Sequence, residues 1–365
     1  MAEVNMENLL NCALCPNLCR CDCPVLNVLG REAVSPAGKA RLSAMLQQNH
    51  LSWSKEILEA VSNCLGCRSC TILCPFSELN LCEELLNTRL TAKAAGVTLP
   101  ECESYLSNLK KYGSPYGQKS EPHPLENKGA EVLYFAGCTA RANNPGSIEA
   151  ARFLFEKAGV AYQMISEDCC GYPAEVWGDE ELAAQLAAEN RRKFEESGAS
   201  VLVTNCPECW FTFSERYPLL KRQLKLEIVD GPSYFLGLLR QKRLKPEAVN
   251  LSKVSYHDPC IWARTAKKVK EPREIIDAVP GLIFEEPRRS GECTRCCGGG
   301  SMFQLSFPQT ASAIAGKRLE DFTADNAIIT ACPFCREGLL REGRVVMELV
   351  ELLARACGWQ AIKKG

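Results

Sequence analysis

The chain has 365 residues, 43 basic and 44 acidic side chains giving a net charge of −1, and 23 cysteines. Its length accommodates two or three domains, its balanced charge leaves no footprint for a nucleic-acid partner, and its thiols far exceed what packing alone uses. Disulfides would account for so many cysteines mainly in a short secreted chain; here they fall into metal-ligand clusters, which points to a reducing cytoplasm. The opening MAEVNMENLL lacks the basic start and long apolar run of a signal peptide, and apolar stretches such as Val345 to Ala354 are interrupted by glutamates. No membrane span is therefore expected.

The first cysteines form the run Cys12-x2-Cys15-x3-Cys19-x3-Cys23-Pro24, with Cys21 inside it, and the second run is Cys64-x2-Cys67-x2-Cys70-x3-Cys74-Pro75. The second has the bacterial ferredoxin spacing, in which three cysteines hold one four-iron cluster and the fourth reaches over to another. Cys12, Cys15, Cys19 and Cys74 are accordingly assigned to one cubane 4Fe-4S cluster, and Cys64, Cys67, Cys70 and Cys23 to a second. The first run is one residue longer than the standard spacing, which leaves Cys21 as an alternative to Cys19. CxxC pairs also build zinc sites, but the two trailing Cys-Pro steps favour iron and sulfide. Between the runs, Ser35-Pro36 predicts a helix start and Leu42, Met45 and Leu46 share one face; after Cys74, Leu79, Cys82, Leu85, Leu86 and Leu90 continue a similar stripe. Cys82, Cys102 and Cys357 read as small apolar core residues.

Residues 110–129 are polar and rich in Gly, Pro and Ser and read as a linker. Beyond them strands are predicted over 131–136, 160–165 and 200–204, with helices over 147–157 and 179–196; strands over 253–256, 282–285 and 327–330, with a helix over 307–322, repeat the scheme. Strand alternating with helix implies small parallel sheets. Five cysteines recur in the same order in each half. They are Cys138, Cys169-Cys170 and Cys206-x2-Cys209, then Cys260, Cys296-Cys297 and Cys332-x2-Cys335. Thirty residues separate the first cysteine from the pair in one half and 35 in the other. Five thiols exceed what one tetrahedral zinc needs. Cys138, Cys206, Cys260 and Cys332 each follow a predicted strand, at the carboxyl edge where open parallel sheets bind ligands. Gly171, Gly298 and Gly299 let the backbone approach and present N–H groups to sulfur, tight turns being the plain alternative.

These motifs, with Phe135-Ala-Gly-Cys138, Cys170-Gly171-Tyr172-Pro173, His257-Asp258-Pro259-Cys260 and Thr330-Ala-Cys-Pro-Phe-Cys335, resemble the CCG domain of heterodisulfide reductases. The same domain occurs in iron–sulfur subunits of glycolate, lactate and glycerol-3-phosphate oxidising complexes. The resemblance implies a multidomain chain: an all-α helical ferredoxin module over 1–109, the linker, and two α/β CCG domains over 130–247 and 248–365. It further implies that each five-cysteine set holds a non-cubane 4Fe-4S cluster. The second set, Cys260, Cys296, Cys297, Cys332 and Cys335, is read as catalytic together with His257, which could give a hydrogen bond or a proton nearby; packing at a strand end is the plain alternative. Zinc in place of iron in one half stays open, and the shorter spacing makes the first half the weaker candidate for a cluster.

Two functions follow from the resemblance. In one, ferredoxin clusters pass electrons to the CCG centres, where a disulfide is cleaved to two thiols. In the other, the chain is the electron-transfer subunit of a flavin-dependent dehydrogenase complex. A zinc-stapled scaffold accounts poorly for the ferredoxin runs. Either redox reading implies a flavoprotein or other electron-donor partner, since no GxGxxG fingerprint follows a predicted strand; such a partner could hold the chain at a membrane surface. Replacing Cys297 with Ser is expected to abolish the electron paramagnetic resonance (EPR) signal of the second CCG centre and leave ferredoxin-type signals intact. Loss of every signal would mean collapse of the fold instead.

Overall fold

The computed structural model describes residues 4–16, 18–76, 78–119, 129–340 and 344–360. Its N-terminal part is helical: Met6–Leu14, Pro24–Leu29, Pro36–Gln47, Lys55–Ser62, Leu81–Ala94 and Pro100–Tyr112. The Ser35 hydroxyl accepts from the Gly38 N–H at 2.9 Å, and Pro36 occupies the first helical position, where its missing N–H costs nothing. Leu9, Ala13, Ala40, Ala44, Val61, Leu81 and Leu85 form the core that joins Met6–Leu14, Pro36–Gln47, Lys55–Ser62 and Leu81–Ala94.

Two four-stranded parallel sheets follow. Strands β1 (Val132–Phe135), β2 (Tyr162–Gln163), β3 (Val201–Thr204) and β4 (Glu227–Asp230) run in the order β2-β1-β3-β4. Strands β5 (Lys253–His257), β6 (Ile283–Phe284), β7 (Ala327–Thr330) and β8 (Val346–Glu348) repeat it as β6-β5-β7-β8. The central β1 and β7 are buried along their whole length, as parallel strands covered on both faces must be. The sequence reading lacks β4 and β8. Strand β4 is partly exposed and begins with Glu227, and β8 runs straight into the helix Leu349–Ala356, so neither shows a bounded apolar run.

The sheet units share a core. The helix Pro145–Lys157 of the first half packs on Leu349–Ala356 of the second, and one apolar cluster holds Tyr134, Phe155 and Val203 together with Tyr256, Ile329 and Leu352. The indoles of Trp210 and Trp262 meet between the halves at 5.4 Å. The helical part is tied on by Arg289 to Asp22 at 2.6 Å and by Arg216, which reaches Glu83 and Glu175. Of the expected linker, residues 120–128 lie outside the described residues; residues before them pack rather than merely connect. Gly113 gives its carbonyl to the Cys169 N–H at 2.7 Å, and the Tyr116 hydroxyl reaches Thr139.

Glu348 lies in this shared core, where it caps Leu349–Ala356 and accepts from the Asn144 amide at 2.7 Å. Burial, then the like charge of Glu351, raise its carboxyl from 4.5 to about 7. The folded state therefore binds more protons than the unfolded chain between these values, and stability falls as pH rises through that window. The Glu348→Gln variant is expected to lose this part of the fall. Anoxic urea titrations at about pH 6 and about pH 8.5 should show a smaller difference in midpoint for the variant than for the parent chain.

Candidate metal centres

The registers of the central strands place Phe135 beside Thr204 and His257 beside Thr330, so the chain leaves each sheet twice at neighbouring points. Cysteines stand at all four exits. Cys138 opens the helix Cys138–Asn143, Cys206 precedes Pro207–Phe211, Cys260 opens Cys260–Arg264, and Cys332 precedes Pro333–Leu340. The vicinal pairs complete two sets with the same internal contacts. In the first, Cys138 meets Cys169 at 3.7 Å, and Cys170 lies within hydrogen-bonding reach of Cys169 and Cys209. In the second, Cys260 meets Cys296, and Cys297 meets Cys335 at 3.2 Å. Hydrogen bonds from Cys169 and Cys296 hold the Cys170 and Cys297 thiols well below their ordinary value.

Glycine makes room at both pairs. Gly171 and Gly298 sit at φ of 96° and 85°, and the N–H groups of Gly298 and Gly299 approach the sulfurs of Cys296 and Cys297 at 3.5 and 3.4 Å. Gly299 has an ordinary φ, and its constraint is a close approach: a Cβ there would lie 2.6 Å from the Phe334 carbonyl.

The sets differ in what surrounds them. His257 is fully buried, its Nδ1 accepts from Arg318 at 3.0 Å, and one imidazole nitrogen lies within 4.8 Å of the Cys297 and Cys335 sulfurs. Burial holds the imidazole below its usual value and hence neutral. The matching residue of the first half is Phe135, which packs edge-on against Phe194 and Phe213. Glu208, between Cys206 and Cys209, spans the two sets by accepting from the Ser301 N–H at 2.5 Å; burial pushes its carboxyl up to about 8. Cys332 and Cys206 also lie close enough to interact. The sequence reading missed Glu208, since nothing in its own half marks it. A cleft of about 430 Å³ opens on Cys138 and Cys169, with Gly113, Ser114 and Lys119 on its other wall and Arg141 paired to Glu167 inside it.

In the helical part, Cys12, Cys15, Cys19 and Cys74 line one cavity together with Cys70. Cys23, Cys64, Cys67 and Cys70 line another, with Cys82 among them. Cys21 is exposed and its thiol turns to the Leu18 carbonyl. Cys82 is a difference from the sequence reading. One position into the helix Leu81–Ala94, its thiol lies within hydrogen-bonding reach of Cys64 and Cys70. Burial, then neighbouring thiols, push Cys12 and Cys19 up to about 12 and about 11. Sulfur this crowded ionises once a metal core neutralises it, which is the chemistry an iron–sulfur cluster brings, so the donor sets fit the implied cofactors. The second cavity adjoins the second five-cysteine set: Cys67 and Cys296 are within hydrogen-bonding reach, and buried Arg264 donates to the Cys67 carbonyl at 2.8 Å and to the Glu292 carbonyl at 2.9 Å.

Known families match these regions. Residues 8–77 match the 4Fe-4S dicluster domain, and residues 132–214 and 254–339 each match the cysteine-rich domain called CCG. Together they define an iron–sulfur protein with one dicluster domain and paired cysteine-rich domains. The chain is 30% identical to a dihydromethanophenazine:CoB–CoM heterodisulfide reductase subunit of Methanosarcina mazei, over 83% of this chain and 80% of that one. It therefore belongs to the heterodisulfide reductase-like family of iron–sulfur oxidoreductases. It is also 26% identical to the EtfAB:quinone oxidoreductase of Syntrophomonas wolfei, covering 76% of this chain and 42% of that one. A crystal structure of a hypothetical protein from Helicobacter pylori shares the fold, with a TM-score of 0.62 at 12% identity over 89% of this chain and 68% of that one. Among the described residues no helix is long and apolar enough to cross a membrane.

The glycine geometry makes a graded prediction. A Cβ at Gly298 would lie 2.7 Å from the Ala311 carbonyl, whereas at Gly171 the closest atom is 3.3 Å away, both at positive φ. Gly298→Ala is expected to destabilise the chain by about 1 to 3 kcal/mol more than Gly171→Ala. Denaturant midpoints of the two anoxically purified variants measure the difference.

Proposed function

We propose that this chain is an electron-carrying oxidoreductase subunit that ends in disulfide–thiol chemistry at its paired five-cysteine centres. The observation that carries the reading is the continuity of the sulfur sites. The Cys12 cavity shares Cys70 with the Cys64 cavity, Cys67 of that cavity adjoins Cys296, and Glu208 links the second set to the first. The Cys12, Cys15, Cys19 and Cys74 thiols would hold one cubane cluster; Cys23, Cys64, Cys67 and Cys70 another; and each five-cysteine set a non-cubane cluster. Bound there, these clusters would supply one-electron storage and transfer.

The chain's own residues shape the two ends. Around the outer cavity the surface is apolar: Leu18, 66% exposed, lines it with Leu73 and Phe76. A subunit that donates electrons, a flavoprotein in this reading, would cover that rim and exclude water from the nearby sulfur. At the other end, the cleft on Cys138 and Cys169 offers room for a substrate, with Lys119 on its wall and Arg141 held by Glu167. The sequence reading places catalysis at the second set; the cleft favours a share for the first. Likeness to the EtfAB:quinone oxidoreductase supports a pure relay as the second reading.

Metal analysis of the anoxically purified chain, followed by a disulfide-cleavage assay, decides between them. About 16 iron atoms per chain without zinc are expected; about 8, with zinc, would make the CCG halves structural and favour the relay. Cys19→Ser is expected to cost about four iron atoms and Cys21→Ser none. With reduced viologen as donor, disulfide cleavage should fall at least about tenfold in Cys169→Ser while ferredoxin-type EPR signals persist. Parent protein that binds the iron yet cleaves no disulfide would leave the relay as the function.

A further inference from the structure

We infer that Lys39 is a tuning residue whose buried positive charge raises the reduction potential of the inner four-iron site, the one lined by Cys23, Cys64, Cys67 and Cys70. This rests on the proposal above that the cavity holds such a cluster. Lys39 lies on the helix Pro36–Gln47 and is 2% exposed. Its Nζ donates to the Asn63 carbonyl at 2.8 Å, and among the described residues no carboxylate pairs with it. Asn63 immediately precedes Cys64, so the contact fixes the ammonium against the loop that carries three of the site's thiols. Lys39 lines the inner cavity with those thiols and is absent from the wall of the outer one.

A buried ammonium is costly unless a negative charge faces it, and one carbonyl satisfies only part of its donor capacity. The remaining counter-charge within reach is sulfur, on Cys23, Cys64, Cys70 and Cys82. A thiolate-bound cluster is anionic and gains one further negative charge on reduction, so a cation fixed beside it favours the reduced form. The same charge reaches the outer site more weakly, since Lys39 lines the inner cavity and not the outer one. Lys39 thus separates the potentials of two sites that each have four cysteine thiols, and favours residence of an electron at the site beside Cys296.

The test is an EPR-monitored redox titration of the full, anoxically purified chain, in which the inner signal is the one lost in Cys67→Ala. In Lys39→Met the inner reduction equilibrium should fall at least tenfold, about 59 mV for a one-electron couple. The outer midpoint should move much less, and Lys39→Arg should keep the parent value. An unchanged inner midpoint, or equal movement of both, overturns the proposal. If Lys39→Met binds no inner cluster, Lys39→Gln, which keeps a donor for the Asn63 carbonyl without the charge, is expected to show the same drop. Loss of iron from both neutral variants, with retention in Lys39→Arg, would make the ammonium a structural clamp and overturn the tuning role. Absence of any four-iron signal from the parent chain would sink the cluster assignment itself, a result distinct from a failed shift.

Discussion

Sulfur in low dielectric governs this architecture. Cys169, Cys170, Cys206, Cys209, Cys296, Cys297, Cys332 and Cys335 are all buried, packed thiol against thiol in two groups. As neutral thiols they would be small and polarisable; as thiolates they would repel one another strongly. Parts of the surroundings favour the charged case. Gly298 and Gly299 turn N–H groups towards sulfur, and the cysteine helices begin at the strand ends so that their N-terminal dipoles face it. The parallel sheets matter chiefly because they bring two cysteine-bearing exits side by side on one edge.

Duplication explains the symmetry and also shows where it has been broken. Both sheets have the same strand order, and both cysteine sets the same contacts. Yet equivalent positions differ in kind: Phe135 sits in an aromatic cluster, and His257 in a polar one with Arg318 and Asp321. Accessibility differs as well. The first set faces a cleft, whereas the second is covered by the helical part through Arg264. Two copies of one scaffold therefore present sulfur to different surroundings, a requirement if one is to be supplied from inside and the other to meet the outside.

The residues themselves disclosed a good deal of this. Cysteine spacing and the Cys-Pro steps marked four groups, and the structure gathers those groups in space: Cys74 joins the first run and Cys23 the second. Ser35-Pro36 marked a helix start because a cap and an N1 proline act locally. What escaped is non-local. Cys82 belongs to neither cysteine run and meets Cys64 only by helix packing; Glu208 acts on Ser301, 93 positions away. Strand β4 is defined by pairing with β3, not by its own alternation, and Gly113 and Tyr116 are held by contacts to Cys169 and Thr139. Composition could not distinguish a strap from a spacer.

The shared core has a consequence for how the protein is made. The buried thiols of the first set lie in one apolar cluster with Met302, Phe334 and Leu339, far along the chain. During synthesis the first five-cysteine set is thus translated long before the apolar layer behind it can close. For that interval its thiols are open to oxygen, to stray metals and to whatever machinery delivers iron and sulfide. Enclosure of the first set is therefore complete only once the second half has been made, and a truncated product would carry these thiols without that cover.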